Sequence, residues 1–185
     1  AFFLRIINLD IPKGFVFDEV YYVDGARDLL KYGVEVDGLK PEFVVHPPIG
    51  KWSIAIGIKI FGDNEFGWRI TAAIAGTLII LIASRLAHEL FYSPFLTAIT
   101  AALLTFDGLL LVHSRTALLD LFLTLFILIA AYFWFRQQYW YASIFFGLAL
   151  ATKWSALYFI ALFGFVTLFR LYPHASVKES LRTVT

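Results

Sequence analysis

Four apolar runs fill the chain beyond its first third: residues 66–86, 94–112, 116–135 and 139–172. Few architectures accept such runs. A helix needs about 20 apolar residues to cross a bilayer, and inside lipid every backbone N–H and C=O must find its partner within the protein. The first three runs therefore predict one spanning helix each. The fourth is interrupted only at Lys153 and predicts two short spans joined near "TKWS". Ala72 and Gly76 have the small-xxx-small spacing that lets such helices pack closely. The charged fraction agrees at 16%, against roughly 25% in a soluble domain. The expected fold is an all-α polytopic membrane protein, with about five transmembrane helices over 65–172 and a cytoplasmic segment at 173–185.

Ahead of these runs lies a different kind of sequence. Residues 10–64 hold four of the six Pro and about half of the charged residues, and read as a long loop outside the membrane. Two short helices are expected within it. One follows Asp18, with Val20, Val23 and Leu30 as its apolar positions and Gly33 as its stop. The other follows "HPP", with Ile49, Trp52, Ile56 and Ile60 on one stripe, and is short enough to lie at the interface. "YGVEVDGLKPEF" between them reads as a turn-rich loop. Residues 1–9 read as the tail of a truncated first span, because the chain opens at Ala1 and contains no Met. The C-terminal part of the protein is expected to be absent. No secretory signal pattern is visible.

Charge sets orientation and excludes other classes. With the long loop outside, Arg85, Arg136, Arg170, Lys178 and Arg182 fall inside, and the short outer turn carries only Arg115. The bias of Lys and Arg towards the cytoplasm then makes the loop extracytoplasmic. A net charge of +1 offers no broad basic surface for nucleic acid. The absence of Cys excludes disulfides, thiol catalysis and thiolate metal sites.

Ionisable residues near spans are costly and usually functional. In this topology Arg69, Asp107, His113, Arg115, Asp120 and Lys153 gather at the outer face, which also bears Asp18, Glu19, His46 and Lys51. The basic members Arg69, Arg115, Lys153 and His46 suit a phosphate at the membrane surface. The carboxylates opposite suit a general base for a hydroxyl. Each residue also has a structural reading. Asp18 could cap a helix, Glu19 could offset a helix dipole, and Arg115 with Asp120 could form an ion pair. Arg69 and Lys153 could snorkel to headgroups, and Asp107 could close a span. His46 and His113 lack the neighbours of a metal site, so no metal and no cofactor are expected.

"FDEVYYVDGARDLLKYG", "HPPIGKW", "FGWRITAAIAGTL", "FDGLLLVHSRTALLDLF" and "GLALATKWSALY" occur in this order. Together they resemble the N-terminal portion of protein O-mannosyltransferases of bacterial type, within the GT-C glycosyltransferases that use polyprenyl-phosphate sugars. The resemblance implies a GT-C-like helical bundle whose first extracytoplasmic loop carries an essential acidic pair, matched by Asp18 and Glu19. It matches Arg69 to the arginine opening the next span and Asp120 to the acid of the "ALLD" block. It also puts His46 where related transferases place a basic residue that holds the donor phosphate. The implied activity is inverting transfer of mannose from a polyprenyl-phosphate donor to Ser or Thr hydroxyls of secreted proteins, at the outer face of the cell membrane.

In that scheme Asp18 is the base, Asp120 positions a loop group or the sugar, and Arg69, His46, Arg115 and Lys153 stabilise the leaving phosphate. Glu19 holds the acceptor or pairs with Arg69, since adjacent helical side chains diverge by about 100°. Alternatives keep the fold with another lipid-phosphate sugar, or with a lipid or cell-wall glycan as acceptor. A transporter or channel is the alternative outside this class, and it calls for ionisable residues near the midplane.

Overall fold

The structure is a computed structural model that describes residues 1–38, 40–41 and 44–182. Its elements are α1 (Phe2–Ile6), α2 (Glu19–Tyr32), β1 (Val36–Asp37), β2 (Lys40–Pro41), α3 (Ile49–Phe61), α4 (Glu65–Phe91), α5 (Pro94–Phe106), α6 (Gly108–His113), α7 (Leu119–Phe135), α8 (Tyr139–Leu150) and α9 (Ala156–Arg182). Local chemistry sets the helix boundaries. The Asn64 side chain accepts the Gly67 N–H to open α4, and Ser93 accepts the Leu96 N–H to open α5. Gly33, at φ +77°, closes α2 in the left-handed conformation that glycine adopts freely.

Several elements differ from the sequence expectation. The run 94–112 is not one helix, because it breaks at Asp107, whose backbone is extended. Asp107 instead accepts the Leu110 N–H at 2.6 Å and caps α6, the use of Asp that competes with helix continuation. The helix expected from Thr116 starts at Leu119, after the extended backbone of Leu118, and the Ala117 N–H ahead of it bonds Glu19 at 2.8 Å. Within the turn-rich stretch, β1 and β2 pair antiparallel through Val36 with Pro41 and Asp37 with Lys40, so the fold is not wholly helical. Leu39, Glu42 and Phe43 of that stretch lie outside the described residues. The expected cytoplasmic segment 173–185 continues α9 to Arg182, and its last three residues also lie outside them.

Among the described residues α4 alone is long and apolar enough to cross a membrane by itself. The broken and shorter helices α5, α7, α8 and the apolar part of α9 are 10–17 residues each.

The main core is shared by Val23 and Ala26 of α2, Ile54 and Ala55 of α3, Ala72 of α4, and Leu119 of α7. A second cluster joins Leu123 and Ile127 of α7 to Ala149 of α8 and Ala156 of α9. Helix α7 thus sits between the two. In α2 the core face is Tyr22, Val23, Ala26 and Leu29, whereas Val20 and Leu30 of the expected stripe are exposed. In α3 the expected stripe of Trp52, Ile56 and Ile60 faces outward, and Ile54, Ala55 and Ile58 face the core. The helix is therefore apolar on both faces, which suits a surface lying in lipid rather than water.

Helices α3 and α4 pack closely enough that a Cβ on Gly57 would lie 2.3 Å from the Gly67 carbonyl oxygen. That neighbour is backbone and cannot rotate away. Gly57→Ala is expected to destabilise by about 1–3 kcal/mol, read as a lower midpoint in thermal unfolding of the detergent-solubilised protein.

Candidate functional site

The acidic pair divides between two environments. Glu19 is fully buried and its carboxylate is saturated. Oε1 accepts from Arg69 Nε and the Ala117 N–H, both at 2.8 Å. Oε2 accepts from Arg69 Nη2 at 2.7 Å and the Val16 N–H at 2.8 Å. Arg69, also fully buried, spends its remaining N–H groups on the carbonyls of Pro12 and Gly14 at 2.8 Å and Leu9 at 3.4 Å. A guanidinium has five N–H donors, and all five are used. This knot ties the 9–16 segment, α2, α4 and the turn before α7 together.

Asp18 has the opposite situation. It occupies the N-cap position of α2, yet its side chain makes no cap hydrogen bond. Among the described residues, its side-chain partner is the Tyr22 hydroxyl, donating at 3.5 Å. The knot below fixes the start of α2, so a half-buried carboxylate with open lone pairs is held at the protein surface.

Opposite it, Lys153 in the α8–α9 turn donates to Asp120, in the first turn of α7, at 2.7 Å. The loop carrying His46 is tied to that same turn. The Ile49 N–H bonds the Ala151 carbonyl at 2.9 Å, and Trp154 Nε1 bonds the Val45 carbonyl at 3.0 Å. His46 stands 6.2 Å from the Tyr22 ring, centroid to centroid, and among the described residues its buried Nδ1 meets no hydrogen-bond partner.

The electrostatics follow from this clustering. Burial first, then the positive charges of Lys153 and Lys51, hold the His46 imidazole below its ordinary pKa of 6.5, and Asp120 and Asp18 partly oppose this. Burial and the charges of Asp18 and Asp120 push the Tyr22 hydroxyl up to about 12. At neutral pH, Tyr22 is thus a proton donor to Asp18 and His46 is neutral. A folded state that resists protonating His46 keeps that contribution above pH 6.5 and loses it as the pH falls.

A cavity of about 540 Å³ adjoins the cluster, lined by Asp18, Tyr22, Glu35, His46 and Lys51 among others. A smaller one of about 220 Å³ lies on the other side of Asp120, among Asp107, His113 and apolar residues.

The family model described as dolichyl-phosphate-mannose-protein mannosyltransferase matches residues 1–184. The chain belongs to this mannosyltransferase family. Polyprenol-phosphate-mannose–protein mannosyltransferases of Mycolicibacterium smegmatis and Mycobacterium tuberculosis are 36% and 38% identical over 89% and 90% of the chain. Dolichyl-phosphate-mannose–protein mannosyltransferase 1 of Candida albicans is 29% identical over 93% of it. The chain spans 38% of the length of the two bacterial relatives and 22% of the yeast one. The crystal structure of ArnT from Cupriavidus metallidurans in the apo state superposes with a TM-score of 0.68 at 23% identity, covering 91% of this chain and 33% of that one. That likeness gives the fold, the helical arrangement of the matched third of that chain.

Among the sequence candidates in this mannosyltransferase chain, Asp18 and His46 line one cavity, Asp120 and Lys153 form an ion pair whose charges reach His46, and Glu19 with Arg69 forms a fully buried pair. Arg115 stands apart from a phosphate-facing position. It holds the carbonyls that end α1, bonding Ile7 at 2.6 Å and Asn8 at 2.7 Å, and the pair with Asp120 gives way to Lys153. Tyr22, Glu35 and the role of Lys51 are additions from the structure. Tyr22 follows Asp18 by four residues, one helical turn, which is a signal readable in sequence. The buried Glu35–Lys51 ion pair joins the loop before β1 to α3 and has no such signal.

Proposed function

We propose that the chain is the outer-face portion of a multi-pass membrane enzyme that transfers mannose from a polyprenyl-phosphate carrier to Ser or Thr hydroxyls of secreted proteins, with inversion. The observation that carries the reading is Asp18, a carboxylate without a capping bond, held by a buried knot and lining a cavity together with His46. Family membership and the names of the relatives support the donor and the protein acceptor. The outward-facing apolar side of α3 and the apolar length of α4 support placement in a membrane.

The chemistry is simple in outline. Asp18 accepts the proton of the acceptor hydroxyl as its oxygen bonds C1 of the sugar. The C1–O bond to phosphate breaks, and the electron pair stays on the phosphate oxygen. Lys153 uses one N–H on Asp120 and has two left for that oxygen. His46 offers one more donor as a neutral imidazole. Asp120 orients Lys153, and Glu19, Arg69 and Arg115 position the elements that carry the site.

Two results are expected of the full-length protein. Lys153→Met removes hydrogen bonds to a charged group, worth about 1.5–3 kcal/mol, so the donor KM rises roughly 10- to 150-fold while the acceptor KM changes far less. Because His46 is already neutral, the donor KM stays flat from neutral pH upward, and a rise there would contradict its assignment. The donor is tested by offering polyprenyl phosphates bearing mannose, glucose and arabinose in parallel to a Ser/Thr peptide. Mannose should be preferred, and preference for another sugar replaces the donor in this reading.

A further inference from the structure

The 540 Å³ cavity opens beside Asp18, and its lining includes neither Asp120 nor Lys153. Inverting displacement places the attacking oxygen opposite the leaving group. On the proposed transfer reading the acceptor hydroxyl must reach Asp18, so the acceptor chain approaches through the cavity that Asp18 lines. Its rim is apolar and open: Tyr21 of α2 is 70% exposed and Val45 of the facing loop 62% exposed. Its floor is the Glu35–Lys51 ion pair, with both side chains almost fully buried. Gly25 makes room for that pair, because a Cβ there would lie 2.7 Å from Glu35 Oε2.

The charges of this cavity do not balance. Lys51 cancels Glu35, and neutral His46 adds nothing. Among the described residues of its lining, Asp18 and the exposed Asp24, six residues further along the chain, remain. An acidic side chain entering beside them meets two like charges in a partly desolvated cleft, and a basic one meets two opposite charges.

We propose that this cavity receives the acceptor polypeptide beside the modified Ser or Thr, and that Asp24 and Asp18 make it select a basic neighbouring residue over an acidic one. This rests on the transfer reading above. The occupant is an extended peptide with a Lys or Arg near the hydroxyl, its backbone crossing the rim of Tyr21 and Val45.

The test uses the full-length enzyme with its mannosyl donor and two sets of peptides that differ only by Lys or Glu, placed in turn at each position flanking a single Thr. The readout is the ratio of kcat/KM for the Lys and Glu peptides at the position of largest effect. At low ionic strength that ratio should be about five to ten. It should fall to one or below in Asp24→Lys, and it should shrink in wild type as salt is raised. A ratio near one at every position in wild type overturns the proposal, as does a preference that survives Asp24→Lys. Absence of transfer to every peptide overturns the transfer reading and this proposal with it.

Discussion

Asp18→Asn in the full-length protein is expected to lower transfer about 10²- to 10⁴-fold and to leave the thermal unfolding midpoint close to that of wild type. The two halves of this expectation have one structural cause. Asp18 stands at the start of α2 without a capping hydrogen bond, so its charge supports the helix only through the dipole, by about 0.3–1 kcal/mol. Its contact with the Tyr22 hydroxyl is long at 3.5 Å, and an amide oxygen can accept from the same hydroxyl. The Asn side chain has the same shape but cannot take the acceptor proton. Activity near wild type would remove Asp18 as the base. A large fall in the midpoint would show that the carboxylate is structural.

Breaking the knot beneath should do the reverse. Glu19→Ala or Arg69→Met leaves one buried charge without its partner, a change that costs about 3–5 kcal/mol. The loss should appear first as a lower unfolding midpoint and reduced yield, and only then as lower activity per folded molecule. Arg69→Lys should rescue little, because an ammonium has three donors where the guanidinium serves Glu19 twice and three carbonyls besides. The double change Glu19→Leu with Arg69→Leu should cost less than the sum of the single ones, since no lone charge remains. Additive costs would contradict direct coupling. Full stability of Arg69→Met, with loss confined to the donor KM, would return Arg69 to the phosphate.

These two predictions separate residues that look alike in sequence. Arg69 and Lys153 are both cations beside apolar runs, and composition and spacing gave each the same candidate role. The difference lies in which acceptors surround them. Arg69 is ringed by Glu19 and loop carbonyls, whereas Lys153 is bound once and keeps free donors. Such partners come from the path of the 9–16 segment, which carries no periodic pattern.

The helices were legible because apolar runs and capping residues are local. Asn64, Ser93 and Gly33 mark ends that the structure places within a residue or two of the runs. The break at Asp107 has a local cause as well, but an Asp–Gly pair can end a helix or bend it, and only the bond to the Leu110 N–H decides. The gathering of Asp18, His46, Asp120 and Lys153 was visible from topology. It stands apart from a transporter reading, since these groups sit on helix starts and connecting turns instead of mid-helix. The Glu35–Lys51 pair was not visible, because only the fold of the loop brings the two side chains together.

The most direct test is an in vitro transfer assay. Full-length enzyme is given polyprenyl-phosphate mannose and a peptide with a single Thr, and the product is read by mass spectrometry and by NMR of the anomeric centre. The account predicts one hexose on the Thr hydroxyl, with the anomeric configuration inverted from the donor, and a rate lowered about 10²- to 10⁴-fold with Asp18→Asn. Mannose on the Thr with retained configuration, or equal product from Asp18→Asn, would contradict it.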